Sequence, residues 1–165
     1  MGWWGESLAT RPGLIAPMTT SRKYRVTMIV THPTITAAEI VSAFAFAPRW
    51  AKSVGTARLS PTGKALGGTY AETSVCLRIS DAVIDHDETG LTRFIGDSLN
   101  KLPLATVDRV VDAGGMCFFS VGVYTDGNMM CDFDENLLRK LADHKIGLKL
   151  DIYGGSENEL LVKPA

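Results

Sequence analysis

The densest group of side chains able to do chemistry is the run Asp85-His86-Asp87-Glu88, which holds three carboxylates and an imidazole. Carboxylate oxygens are the ligands of hard divalent cations, and an imidazole oriented by a neighbouring acid can act as a general base. The run lacks the Asp-x-Asp-x-Asp-Gly spacing of a calcium loop, and a solvated loop that caps the next helix explains the same residues. The sequence favours that structural explanation. A small hydrolase or metal-dependent enzyme using Asp85, His86 and Asp87 is the alternative.

The remaining histidines and cysteines form no recognisable catalytic motif. His32 and His144 could join His86 in a zinc site, but nothing in their spacing requires it. The three cysteines lie in or beside apolar sequence without a C-x-x-C pair, which predicts buried, reduced thiols (Cys76, Cys117, Cys131). No Gly-x-Ser-x-Gly elbow is present. We therefore predict no catalytic residue, no metal ligand and no cofactor.

Charge and hydropathy narrow the class of partner. Seventeen basic and eighteen acidic residues give a net charge of −1, and no Lys/Arg run is long enough to follow a phosphate backbone. Nucleic acid is therefore not expected as a partner. No apolar run approaches the ~20 residues that span a bilayer, and the first residues do not resemble a secretion signal, so a cytoplasmic protein without membrane contact is predicted.

The pattern along the chain predicts one domain over residues 23–156, with an N-terminal extension (1–22) and a C-terminal tail (157–165). Met18 stands just before the first strand-like run, and we expect translation to start there. A capping box, Thr36-Ala-Ala-Glu39, predicts the start of the first helix. Further segments are predicted as strands (24–31, 53–59, 74–80, 116–124, 129–131, 148–153) and as helices (91–102, 104–111, 137–146). A turn is predicted at Asp126-Gly127-Asn128, and a second capping box at Asp132-Phe-Asp-Glu135.

The strand at Met116–Tyr124 is the most apolar of these segments. One of its faces is wholly apolar, whereas the other carries Phe118, Ser120, Gly122 and Tyr124. This contrast predicts a central strand that is covered fully on one side only. Gly122 predicts a shallow depression on the mixed side.

The order of elements predicts an α+β fold, with a single mainly antiparallel sheet of about five strands and helices mainly on one face. The uncovered face would then collect alternate side chains from several strands. Two arginines there could hold a carboxylate or phosphate bidentately, and tyrosines would add rigid apolar area. The predicted ligand- or partner-binding residues are Arg25, Arg78, Ser120, Tyr124, Lys149 and Tyr153.

Two alternatives remain open for this face. An ordinary solvated sheet face explains the polar residues equally well. Ile29 and Phe118 would also lie there, and they predict a partial cover. The cover would be the N-terminal segment with Trp3 and Trp4, or a second copy in a homodimer.

The element order, Pro48-Arg49-Trp50, the glycine-containing loop, the paired helices and the closing Leu-Lys-Leu-Asp-Ile-Tyr153 resemble a bacterial domain-of-unknown-function family, number 4279. The likeness runs from about Tyr24 to Tyr153. It implies a small soluble bacterial domain of the kind found among immunity-like or antitoxin-like proteins, without established catalytic residues. The leading hypothesis is thus a non-catalytic binding or interaction module whose partner is an unknown protein or small molecule.

Overall fold

A computed structural model describes residues 22–79, 84–85, 90–125 and 130–154. The predicted N-terminal extension, apart from Arg22, lies outside these residues, as do the C-terminal tail and the turn at 126–128. In chain order the elements are β1 (Arg22–His32), α1 (Ala37–Phe44), β2 (Pro48–Lys52), β3 (Ala57–Leu59), β4 (Ala65–Thr69), β5 (Thr73–Arg78), β6 (Ile84–Asp85), α2 (Gly90–Lys101), α3 (Leu104–Asp112), β7 (Met116–Thr125), α4 (Glu135–Asp143) and β8 (Ile146–Gly154).

The main sheet has the strand order β2-β5-β1-β7-β8, and β6 pairs with the beginning of β1. Its neighbours run antiparallel except β7 and β8, which are parallel. Parallel neighbours cannot be joined by a tight hairpin, and α4 supplies the crossover between them. The predicted α+β class, with one mainly antiparallel sheet of about five strands, is confirmed.

The helices cover one face of the sheet, as predicted. Alternate side chains of the two central strands are fully buried on that side, and the intervening ones are only half-buried. The helices contribute their own apolar residues to the same core, for example Phe44, Ile95, Val107 and Leu137. The buried central-strand residues are Tyr24, Val26, Met28 and Val30 of β1 with Cys117, Phe119, Val121 and Val123 of β7.

The predicted capping box opens α1. The Thr36 hydroxyl accepts a hydrogen bond from the Glu39 amide, and the Thr36 amide donates to the Glu39 carboxylate at 2.8 Å. Hydrogen bonds from Thr36 hold the pKa of Glu39 below its usual value. The second predicted capping box, at Asp132, is wrong. Asp134 is the residue that caps α4, since its carboxylate accepts from the Leu137 amide at 2.8 Å.

Several predicted boundaries also differ. The stretch 53–59 is not one strand, because a turn at Val54-Gly55 separates β2 from β3, and β3 pairs with β4 in a separate two-stranded sheet. Met130 and Cys131 belong to no strand, so the return strand predicted at 129–131 is not formed by them. The helix predicted to reach Ile146 ends at Asp143, and Ile146 opens β8 instead.

Gly115, which directly precedes β7, lies against the backbone of Thr31 and the side chain of Val110. A β-carbon there would lie 2.7 Å from the Thr31 carbonyl oxygen and 2.8 Å from Val110. We predict that Gly115→Ala lowers the free energy of unfolding by about 1–3 kcal/mol through overpacking. Gly96→Ala is the matched control: a β-carbon at this α2 position meets nothing within 4 Å, and a gain of about 0.5–1 kcal/mol is expected. Urea unfolding followed by circular dichroism measures both, and equal effects would contradict the contact.

Candidate functional site

The side of the sheet opposite the helices, the open face, carries the side chains that alternate with the buried ones on β1, β5, β7 and β8. The strand register arranges them in rows. Thr27 lies opposite both Arg78 and Ser120, and Ser120 lies opposite Lys149, so one row crosses four strands. Neighbouring strands lie about 4.8 Å apart, which gives this row a length of about 14 Å.

Two further rows complete the predicted site. Arg25 lies opposite Gly122, and Gly122 in turn lies opposite Asp151 on β8. Tyr124 lies opposite Tyr153 at the next position along the same strands. The structure therefore brings all six predicted residues to one face: Arg78, Lys149 and Tyr153 are exposed, and Arg25, Ser120 and Tyr124 are half-buried.

Two tyrosines of the open face stack on each other. The rings of Tyr124 and Tyr153 stack with centroids 5.1 Å apart and planes 13° from parallel. Tyr124 also folds back over Gly122, where its hydroxyl and ring atoms lie 3.4–3.7 Å from the position of a β-carbon. The depression predicted at Gly122 is therefore wrong, because the ring of Tyr124 fills it. Because Gly122 has no side chain, it leaves room for the ring of Tyr124 from the same strand.

An apolar row crosses the same face closer to the other end of the strands. Trp50 lies opposite Cys76, Cys76 opposite Ile29, and Ile29 opposite Phe118. Trp50 is 39% exposed, whereas Cys76 is only 3% exposed. Burial raises the pKa of the Cys76 thiol, although a Thr27 hydrogen bond and the Arg49 charge oppose the shift. Ile29 and Phe118 are half-buried, and the N-terminal segment predicted to cover them lies outside the described residues.

Positive charge is concentrated on the open face. Among the side chains that the structure describes there, Asp151 is the acidic one, while the basic ones are Lys23, Arg25, Arg49, Lys52, Arg78 and Lys149. Lys52 places its ammonium 5.0 Å from the ring centroid of Trp50 and 5.5 Å from that of Tyr70. Such cation–π contacts hold a charge over an aromatic surface. The sequence did not indicate that Lys52, Trp50 and Tyr70 would meet, because the β3–β4 hairpin separates Tyr70 from the other two along the chain.

The residues of the enzymatic alternative lie mostly outside the described part of the chain. Residues 86–89 and the side chain of Asp85 lie outside it. No group of three or more His, Cys, Asp or Glu that could hold a metal ion occurs within the described residues. His144 instead pairs with Asp108 of α3, 3.0 Å from Nδ1 to the carboxylate.

His32 has a structural role. It is buried, and its Nδ1 accepts hydrogen bonds from the backbone amides of Thr34 (3.1 Å) and Ile35 (2.9 Å). These two bonds assign the ring proton to Nε2, which has no hydrogen-bond partner in the described residues. The imidazole thus organises the turn that leads from β1 into α1.

A groove that the sequence did not predict lies on the helix side, between α2 and the segment that includes α4. Its volume is about 550 Å³. The hydroxyl of Thr92 donates to the Asp132 carbonyl across it. Its charges are mixed, and none of its lining residues is a histidine or cysteine: Thr92, Arg93, Gly96, Asp97, Asn100, Met130, Asp132, Asp134, Asn136, Leu137 and Lys140. Asp132 and Asp134 serve structural roles as a carbonyl acceptor and a helix cap.

Comparisons with known proteins add no relationship. No family model, no curated protein and no solved structure matches this chain. Among the described residues, no helix is long and apolar enough to cross a membrane. The resemblance to family 4279 stays a prediction.

The tyrosine stack provides a measurable contribution to the end of the sheet. We predict that Tyr153→Ala lowers the free energy of unfolding by about 0.5–1.5 kcal/mol more than burial alone explains, because Tyr124 loses its stacking partner. Tyr153→Phe keeps the ring and is expected to retain this contribution. Urea unfolding of both variants tests the stack, and equal losses would show that the ring contact contributes nothing.

The rates at which the cysteine thiols are labelled measure how well each face of the sheet is covered. We predict that Ellman's reagent at pH 8 labels the half-buried Cys131 first. Cys117 should react slowly, because burial raises the pKa of its thiol to about 12 and leaves little thiolate at pH 8. Trp50→Ala should accelerate labelling of Cys76 and leave that of Cys117 unchanged, since Trp50 lies opposite Cys76 only. Rapid labelling of Cys76 in the unaltered protein would contradict the apolar row.

Proposed function

We propose that this protein is a non-catalytic binding module that holds a partner with carboxylate or phosphate groups on its open face. The observation that carries the proposal is the segregation of charge. The whole chain has a net charge of −1, yet basic side chains from four strands gather on one side of the sheet. Such a surface attracts anionic groups and repels cationic ones.

The types of side chain suit recognition as well as attraction. Arg25 and Arg78 each offer a planar fork of donors that matches a carboxylate or phosphate. Tyr153 is 41% exposed and is held in place by its stack on Tyr124. Tyrosine and arginine are the residue types enriched at the energetic centre of protein interfaces. The open face therefore combines charge with preorganised apolar area.

The shape of this face favours a macromolecular partner over a small molecule. Small ligands prefer concave sites that enclose most of their surface. The groove of about 550 Å³ lies on the helix side, whereas the depression expected at Gly122 is filled by Tyr124. A flat face with anchors spread over several strands suits an acidic protein surface.

The proposal also includes the cellular location and the biological role of the protein. A cytoplasmic bacterial domain related to family 4279, with an immunity-like role, would bind another protein through such a surface. The predicted partner is then a protein whose contact surface is acidic.

Arg78→Glu tests the proposal. We expect immobilised wild-type protein to retain a partner from a lysate, identified by native mass spectrometry, and Arg78→Glu to bind it at least about tenfold more weakly, a loss of ~1.4 kcal/mol. Lys101→Glu on α2 is the matched control, because it makes the same change of charge on the helix side. Equal retention by all three proteins would refute a role for the open face.

A further inference from the structure

The outer edge of β8 has no partner strand among the described residues. β8 is nine residues long and stands last in the sheet order. Its pairing with β7 is regular from Ile146 to Gly154, without a bulge. An exposed, regular edge strand is a template for another strand.

The opposite edge of the sheet is protected in the usual ways. β2 begins at Pro48, which lacks an amide donor, and its register is broken between Pro48 and Trp50. It also carries Arg49 and Lys52. Prolines, bulges and charges of this kind prevent edge-to-edge pairing. β8 contains neither a proline nor a bulge, so its edge lacks two of these protections.

The sequence of β8, Ile-Gly-Leu-Lys-Leu-Asp-Ile-Tyr-Gly, is complementary to itself about Leu150. We propose that two copies of this chain pair antiparallel through β8, with a two-fold axis at Leu150. Lys149 then lies opposite Asp151 of the second copy, and the reciprocal pair forms on the other side of the axis. Among the described residues, no ion pair within its own chain involves Lys149 or Asp151.

The same register matches the uncharged residues. Leu148 lies opposite Ile152 of the second copy on the helix side, and Gly147 lies opposite Tyr153 on the open face. Directly opposed residues of an antiparallel pair lie on the same face of the sheet. The aliphatic Leu148 therefore meets an aliphatic side chain, and Tyr153 meets a glycine, which leaves room for its ring. Ile152 is 62% exposed in the single chain, and this pairing covers it.

Neighbouring registers are disfavoured by charge. A shift that keeps both helix layers on the same side places either Lys149 opposite Lys149 or Asp151 opposite Asp151 of the second copy. Like charges directly opposite each other destabilise a strand pair. A shift by an odd number of residues would instead place the open face of one copy on the same side as the helices of its partner, because side chains alternate between the two faces. Leu150 is therefore the centre that the charges select.

An apolar residue of α4 extends the contact. Asn136 and Lys140 line the groove toward α2, while Leu137 and Leu141 are buried against the sheet. At about 100° per residue, Leu138 projects from the side of α4 away from the groove. Because α4 contacts the edge strand β8, this side would face the outer edge of the sheet. It is 48% exposed and would be covered by the second copy.

The two-fold axis stands perpendicular to the sheet, so the paired copies join their five-strand paths into one continuous sheet. Both helix layers lie on the same side, and both open faces form one surface of doubled size. Arg78 lies three strands away from β8 in the sheet order, so the test of the proposed function does not alter this interface.

A charge swap tests the pairing. We expect full-length wild-type protein to sediment as a dimer, and Asp151→Lys or Lys149→Asp to raise its dissociation constant at least about tenfold. The double variant Lys149→Asp/Asp151→Lys restores opposite charges and should recover most of the affinity. Lys101→Glu is the control and should leave the dimer intact. A monomeric wild type at about 100 μM, or a double variant weaker than both single variants, would overturn the proposal.

Cross-linking tests the register, with Cys131→Ser as background. Leu150→Cys should form an intermolecular disulfide, because this position faces itself across the axis. Leu148→Cys and Ile152→Cys should each remain uncross-linked alone but cross-link when the two proteins are mixed. Equal self-cross-linking of Ile152→Cys and Leu150→Cys would overturn the register.

Discussion

The pairing of β1 with β7 is the constraint on which the rest of the structure depends. These central strands match through ten residue pairs, from Arg22 with Thr125 to Thr31 with Met116. A slip of one residue would turn Tyr24, Phe119 and the other buried side chains out of the core. The helices pack on the resulting apolar surface, and β5 and β8 extend it on either side. The register of one strand pair thus sets which side chains face the helices and which face outward.

The same constraint gives the two sides of the sheet different tasks. Stability comes from the helix side, where the core is continuous. The open face is free of that requirement and carries arginines, lysines and a tyrosine stack. The two edges are also unlike each other, because β2 has a proline and a bulge while β8 is regular. Recognition through Arg25 and Arg78 and association through the β8 edge can therefore coexist, since these arginines lie two and three strands away from β8 in the sheet order.

Local patterns were sufficient for the two central strands, for the start of α1 and for the face on which each residue of those strands lies. The alternation of Tyr24–Thr31 and of Met116–Tyr124 predicted both central strands and their buried sides, because successive side chains of a strand point to opposite faces. The capping box at Thr36 predicted the start of α1, since both hydrogen bonds lie within four residues. The six open-face residues follow from alternation in the same way. Their function does not, because alternation assigns a direction and not a partner.

What the sequence by itself determined, then, is the α+β class, the core-facing residues and the composition of the open face, all of which depend on neighbours a few residues apart. Tertiary structure alone decided the strand order, the parallel pairing of β8, the groove between α2 and α4, and the placement of Tyr124 over Gly122. It also selected Asp134 over Asp132 as the cap of α4. These features join segments far apart in the chain or choose between local options of similar energy. Packing between distant segments makes these choices, so short stretches of sequence do not determine them.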